Sequence, residues 1–224
     1  MSTPRRSSRR ANPARPRQRR KDARPSEIIA ASLAEFVSNG FAATKLDDIA
    51  RRAGIVKGTI YRYFATKEAL FEAALRSRIA PMHEQLEQLV DTYPGPSSEL
   101  LGQVLDRLYH PELSESLHEL LAIIIAEGAR FPEITRLYYE QTVSRGKRIL
   151  ERIVARGIER GEIRDGAAAR LPIVIMAPLV LSTVWRMTFG PLDPVPLERF
   201  AAAHRDLVLH GLVGGACDNA AATL

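Results

Sequence analysis

The sequence predicts an all-α protein, with a three-helix N-terminal unit followed by a larger helical domain. Three observations predict it. Apolar residues recur at i, i+3, i+4 and i+7 through most of the chain. The interruptions are prolines and glycines set at helix-length intervals. No segment alternates with the period of two that a half-buried strand requires. Apolar residues make up 46% of the 224, enough to bury a substantial core.

The elements follow in order. Residues 1–24, "MSTPRRSSRRANPARPRQRRKDAR", hold nine arginines and one lysine against Asp22. That segment is +9 and the remaining 200 residues are −3, so the net charge of +6 is an N-terminal property. It has no large apolar residue after Met1, and prolines at 4, 13 and 16 oppose a continuous helix. A disordered arm is expected, serving either as a solubilising tail or as a polyanion binder that trades counterions for phosphates. It lacks the apolar h-region of a secretory signal, and its prolines oppose an amphipathic transit helix.

Pro25 is suited to a first helical turn, with Ile29, Leu33, Phe36 and Val37 on one apolar face and Asn39-Gly40 as the stop. Thr44 is the expected N-cap of a second helix whose inward residues are Leu46, Ile49, Ala50 and Ala53, ended by Gly54. A third, short helix runs from about Lys57 to Phe64. Thr66 caps a long fourth helix, bent or broken at Pro81. Beyond the loop "DTYPGPSSE" the spacing predicts helices near 97–109, 113–130, 132–160, 166–189 and 196–212. The expected organisation is an arm at 1–24, a three-helix unit at 25–75, a larger helical domain at 76–214 and a flexible tail at 215–224.

The segment from Leu46 to Phe64 carries the chemistry. Ala50 is small enough for two helices to cross closely, and Gly54 accepts the left-handed backbone of a tight turn. With Ile60 and Phe64 directed inward, the outer face is left with Lys57, Gly58, Thr59, Tyr61 and Arg62, and Tyr63 at its boundary. Hydroxyls, cations and a bare backbone patch suit a helix lying in a major groove. The simpler alternative is a helical hairpin with a solvated basic face.

The run "FAATKLDDIARRAGIVKGTIYRYFATKEALF" resembles the DNA-binding segment of the tetracycline-repressor (TetR) family of bacterial transcription regulators. The matching pieces are Thr44, "DIA" at 48–50, "AG" at 53–54, "KGTIYRYF" at 57–64 and "KEALF" at 67–71. The resemblance implies groove and backbone contacts from Lys57, Gly58, Thr59, Tyr61 and Tyr63, with Arg62 as a specificity residue. It implies phosphate contacts from Thr44 and Lys67, and Lys45 joins the same DNA-facing set. Val56 departs from the pattern: the family places Ser or Thr there, and valine can neither cap a helix nor donate to phosphate.

The resemblance further implies a sequence-specific regulator, a ligand-responsive repressor that binds a palindromic operator as a homodimer. Half-sites on double-stranded DNA lie roughly 34–36 Å apart, so a small-molecule effector that alters the spacing of the two recognition helices releases DNA. The last two long helices would form the dimer interface. The apolar run "LPIVIMAPLVLSTVW" suits burial against a partner, or in the core of a monomer. Effector-pocket candidates are His118, Phe131, Tyr138, Tyr139, Met176 and Trp185, each of which also reads as plain core. The alternative function is non-specific architectural DNA binding through the basic arm.

Other classes find little support. "HELLA" at 118–122 lacks the second histidine of a zinc-protease helix, and no glycine-rich phosphate loop or GxSxG occurs. No catalytic residue, metal site or cofactor is expected. No apolar run reaches the 18 or more residues of a membrane helix, so no membrane partner is expected. The single cysteine, Cys217, forms no internal disulfide, which fits a cytoplasmic location, at the nucleoid when DNA-bound.

Overall fold

A computed structural model describes residues 16–213, with side chains from Pro25 onward. The described residues form α1 (Pro16–Ala43), α2 (Leu46–Arg52), α3 (Lys57–Tyr61), α4 (Lys67–Thr92), α5 (Ser97–Leu108), α6 (Pro111–Glu127), α7 (Pro132–Tyr138), α8 (Ser144–Glu159), α9 (Ala167–Arg170), α10 (Ala177–Thr188) and α11 (Leu197–Val213). A π-helical stretch, Tyr139–Val143, joins α7 to α8, and a 3₁₀ turn, Pro172–Met176, precedes α10. The protein is all-α, with no strand among the described residues.

Three elements differ from the sequence pattern. α1 begins at Pro16, so residues 16–24, expected in the arm, are helical. No proline interrupts "RQRRKDAR" between Pro16 and Pro25, and arginine, glutamine, lysine and alanine are good helix formers. Pro16 takes the first turn, where its missing N–H costs nothing. The rest of the expected arm, and the tail at 215–224, lie outside the described residues. α4 continues through Pro81, which sits on the exposed face, where solvent reaches the carbonyl its ring leaves without a donor. The single helix expected at 166–189 is instead broken at Leu171 (φ −129, ψ 69), because the following Pro172 disfavours helical backbone there.

Two apolar clusters organise the chain. The first joins α1 to α4 through Ile28, Phe36, Phe41, Ile49, Ile60, Leu70 and Phe71, and takes in Ile123 of α6 and Ile134 of α7. Phe36, Phe41 and Phe71 pack mutually, with centroids 5.3–5.7 Å apart. The second runs along the rest of α4 and holds α5, α6, α8 and α11 together around Leu100, Leu105, Leu120, Ile149, Ile153 and Val208. Because Ile123 and Ile134 belong to the first cluster, the larger domain is built directly onto the smaller one. No described helix is long and apolar enough to cross a membrane.

Candidate functional site

The α2–α3 hairpin follows from a few local requirements. Ile49, Ala50 and Ile60 are buried beneath it. Gly54 adopts φ 64, and an added Cβ would meet nothing within 4 Å. The turn therefore needs glycine for its backbone angle rather than for space. The Ile55 N–H closes it by donating to the Ala50 carbonyl at 2.9 Å. Val56 opens α3 without a side-chain cap and is 74% exposed, consistent with its departure from Ser or Thr.

Most of the expected DNA-facing residues share the outer surface. Lys45, Lys57, Gly58, Tyr61, Arg62 and Tyr63 are exposed, and Thr59 is half-buried. Gly58 is informative because a Cβ there would also meet nothing within 4 Å. A glycine inside a helix costs about 1 kcal/mol relative to alanine, and nothing inside the molecule requires it here. The Lys57 ammonium lies 2.8 Å from an Asp47 carboxylate oxygen; this hydrogen bond and the attendant charge attraction raise its pKa. Asp48 is engaged by Arg51 at 2.9 Å.

Thr44 and Lys67 depart from the phosphate contacts that the resemblance implies. The Thr44 side chain is buried, and its hydroxyl points back to the carbonyls of Gly40 (2.6 Å) and Glu35 (3.0 Å). Nor is it the N-cap of α2; that position is Lys45, whose side chain makes no cap bond. The Lys67 ammonium donates to the carbonyls of Thr44 (2.9 Å) and Ala42 (3.3 Å) and sits 4.4 Å above the Phe41 ring. Partial desolvation lowers its pKa. The two residues fasten the end of α1 to the start of α4, as a basic side chain does when it serves a helix's last carbonyls.

Glu35 is a positioning residue that the sequence pattern does not reveal. One carboxylate oxygen receives Arg52 at 2.6 Å and the other receives Asn39 at 2.8 Å, tying α1 to α2. Glu127, at the end of α6, does the same between domains. It accepts the Ala42 N–H at 2.6 Å and lies against Gly40, which breaks α1 at φ 74. Phe131 completes this joint, its ring 5.2 Å from that of Phe41.

A cavity of about 130 Å³ lies behind the hairpin, walled by α4, α5, α6, α7, the π-helical stretch, α8 and the 3₁₀ turn with α10. Tyr138 and Met176 line it, as do His83 and Thr142. His118, Phe131, Tyr139 and Trp185 do not. Tyr139 is exposed, Phe131 belongs to the interdomain joint, and the Trp185 indole donates to the Asp193 carbonyl at 2.9 Å beside Phe189. His118 is half-buried near Arg186 and Glu115, and desolvation lowers its pKa. A larger hollow of about 640 Å³ is an open cleft of mixed character, lined by Arg78, Asp106, Arg107 and Glu112 as well as Met82 and Leu113. There Asp106 is paired with Arg205 at 2.6 Å. The helical spacing of Ile79, His83 and Leu86 on the inner face of α4 signals that His83 is buried. Thr142 carries no such signal, because the π-helical stretch shifts the phase of the helix.

Helices α10 and α11 present an apolar surface. Leu181 and Met187 of α10, Phe189 just beyond it and Leu207 of α11 are exposed.

Two family models match the chain. One, described as "Bacterial regulatory proteins, tetR family", covers residues 28–74. The other, "Tetracyclin repressor-like, C-terminal domain", covers residues 98–204. The HTH-type transcriptional repressor KstR2 of Mycolicibacterium smegmatis is 25% identical over 203 residues, covering 89% of this chain and 93% of that protein. A transcriptional regulator from Saccharomonospora viridis, solved in complex with choline, is 19% identical with a TM-score of 0.73, covering 87% of this chain and all (100%) of that one. FadR of Bacillus subtilis, solved with stearoyl-CoA, is 23% identical with a TM-score of 0.64, covering 83% and 98%. At these identities the two solved structures establish a shared fold.

Proposed function

The chain belongs to the TetR family of bacterial transcription regulators, and we propose on that premise that it is a repressor binding a palindromic operator as a homodimer. The observation that carries this reading is the outer face of α3. Lys57, Gly58, Tyr61 and Arg62 are exposed on a helix too short to be held by anything but its neighbours, with Tyr61 52% exposed. A helix so presented fits a major groove, cations and hydroxyls meeting phosphates and base edges. The glycine lets the backbone approach DNA closely.

Dimerisation is supported by the uncovered apolar surface of α10 and α11, of a kind that marks protein–protein contact. Control by a small molecule is supported by the cavity. It shares walls with α4, which reaches the hairpin core, and with α6, whose Glu127 holds the end of α1. That two solved structures of the same fold hold small molecules, stearoyl-CoA and choline, supports a small-molecule effector here.

The test is selection of genomic DNA fragments by the full chain at near-physiological salt, with Tyr61→Ala as comparison. Enrichment of a palindrome is expected, with Tyr61→Ala weakening its binding by about 1–3 kcal/mol, the usual worth of one base-reading contact. Strongly salt-dependent binding without a motif would point to the basic N-terminal segment instead and overturn the reading. Sedimentation should give a dimer, and a concentration-independent monomer would remove the operator symmetry.

A further inference from the structure

We propose that the cavity admits a compact apolar molecule bearing one uncharged oxygen, held between His83 and Thr142. This rests on the effector-responsive reading above and narrows it to a chemical class.

Among the described residues, two fully buried polar side-chain atoms find no partner in the protein: Nδ1 of His83 and Oγ1 of Thr142. Both residues line the same cavity, and they are 1% and 8% exposed. Buried polar atoms are ordinarily paired, and leaving one unpaired is unfavourable. His204, the other fully buried histidine, shows the ordinary case. Its Nδ1 meets the Tyr109 hydroxyl at 3.0 Å and its Nε2 meets the Ile175 carbonyl at 2.6 Å. A ligand oxygen in this cavity can pair with either atom, and a hydroxyl that reaches both can accept from one and donate to the other.

Thr142 owes its place to the π-helical stretch Tyr139–Val143. Such stretches are rare and cluster at functional sites, because the widened turn costs backbone stability. This one delivers a hydroxyl to a predominantly apolar wall.

Charge decides the class of molecule. The lining includes no carboxylate. Its one lysine, Lys147, is half-exposed and lies 3.5 Å from Glu151 one turn along α8. Glu87, beside His83, is held by two Arg145 contacts at 3.0 Å. Desolvation, reinforced by Arg145 and Arg148, lowers the His83 pKa to about 4, and burial raises that of Tyr138 to about 12. Both rings are therefore neutral at physiological pH. A buried ammonium would find no counter-ion, and a carboxylate only a lysine already shared with Glu151, a worse situation than an unpaired hydroxyl.

Size sets the rest. An apolar cavity of about 150 Å³ accommodates one benzene, so about 130 Å³ suits a small ring or short chain. It lies below the roughly 300–1,000 Å³ of sites for larger ligands.

The test uses four probes of one shape: cyclohexanol, cyclohexanone, cyclohexanecarboxylate and cyclohexylamine. Each is titrated into the full chain at neutral pH, following the ¹⁵N resonances of the histidine rings. Cyclohexanol and cyclohexanone should shift His83 and bind about tenfold or more tightly than the charged pair, the cost of an uncompensated buried charge. Thr142→Val, which keeps the shape and removes the unpaired hydroxyl, should raise the ligand-free Tm by about 2–4 °C and weaken cyclohexanol. Equal binding of all four probes, no binding of the neutral pair, or undiminished cyclohexanol binding by a folded Thr142→Val protein would overturn the assignment. The selected operator separates this idea from its premise. Cyclohexanol bound at His83 without DNA release leaves the cavity assignment standing and removes the effector reading. Release by a charged or long-chain compound that leaves His83 unshifted does the reverse.

Discussion

The hairpin unit at the N-terminal end and the helical domain behind it differ in how completely they pair their buried polar groups. Around the hairpin, polar side chains beneath the surface are committed. Glu35 holds Arg52 and Asn39, Thr44 points to α1 carbonyls, and Ser32 donates to the Ile29 carbonyl at 2.8 Å. In the larger domain His83 and Thr142 are left unpaired beside a cavity. A reading head must present its contacts at fixed spacing, so satisfied polar groups and interlocked phenylalanines suit it. A receiving domain that changes state on binding is better served by groups whose partner arrives from outside.

This comparison can be broken most severely at its tightest point. Phe41→Ala removes a ring packed against Phe36, Phe71 and Phe131 and should cost about 3–5 kcal/mol of stability. Denaturant unfolding measures this; a loss below 1 kcal/mol would mean that the hairpin core relaxes as readily as the cavity domain does.

Acid should weaken the other region. All five histidines lie beyond residue 76. His83 is neutral in the fold with a pKa of about 4 against the 6.5 of an unperturbed histidine, so the unfolded chain binds protons more readily between those values. Its contribution is present above pH 6.5 and is lost as pH falls toward 4. His118 and His204 are shifted in the same direction. Tm should therefore drop over that window, and His83→Gln should flatten part of the slope. A His83→Gln profile parallel to that of the unchanged protein would contradict the neutral, unpaired imidazole.

Gly58 sharpens the contrast within the reading head itself. Gly58→Ala should stabilise the free protein by about 0.5–1 kcal/mol, because a Cβ there meets nothing and alanine favours helix. It should also weaken operator binding, where the added methyl meets DNA. Thermal melts and titration of the selected operator would report opposite signs; equal DNA affinity would show that the space is not needed for DNA.

The smallest effect concerns Lys57. Asp47→Asn releases the ammonium from its partner and should tighten DNA binding by about twofold, as expected of a solvent-exposed pair. Unchanged affinity and unchanged salt dependence would place Lys57 away from the phosphates.

Much of the helical architecture was legible because helix formation is local. The spacing of Leu46, Ile49, Ala50 and Ala53 carries its own period, and Gly54 its own backbone preference. The outward set on α3 follows once Ile60 is inside. Proline position was a weaker guide: Pro25 and Pro81 lie within helices that neighbouring packing and good helix formers sustain, whereas Pro172 does break one.

The sequence by itself determined most of the helices, where the hairpin turns, and which α3 side chains face outward. Only the tertiary structure decided what distant residues do to one another. Thr44 and Lys67 turned inward because the end of α1 offers them carbonyls, and Phe131 joined Phe41 rather than the cavity. Glu127 reaches Ala42 across 85 residues, and His83 and Thr142 line one cavity only because packed helices bring their elements together. Periodicity encodes the face a residue occupies. The partner it finds there depends on how whole helices pack, and no local pattern records it.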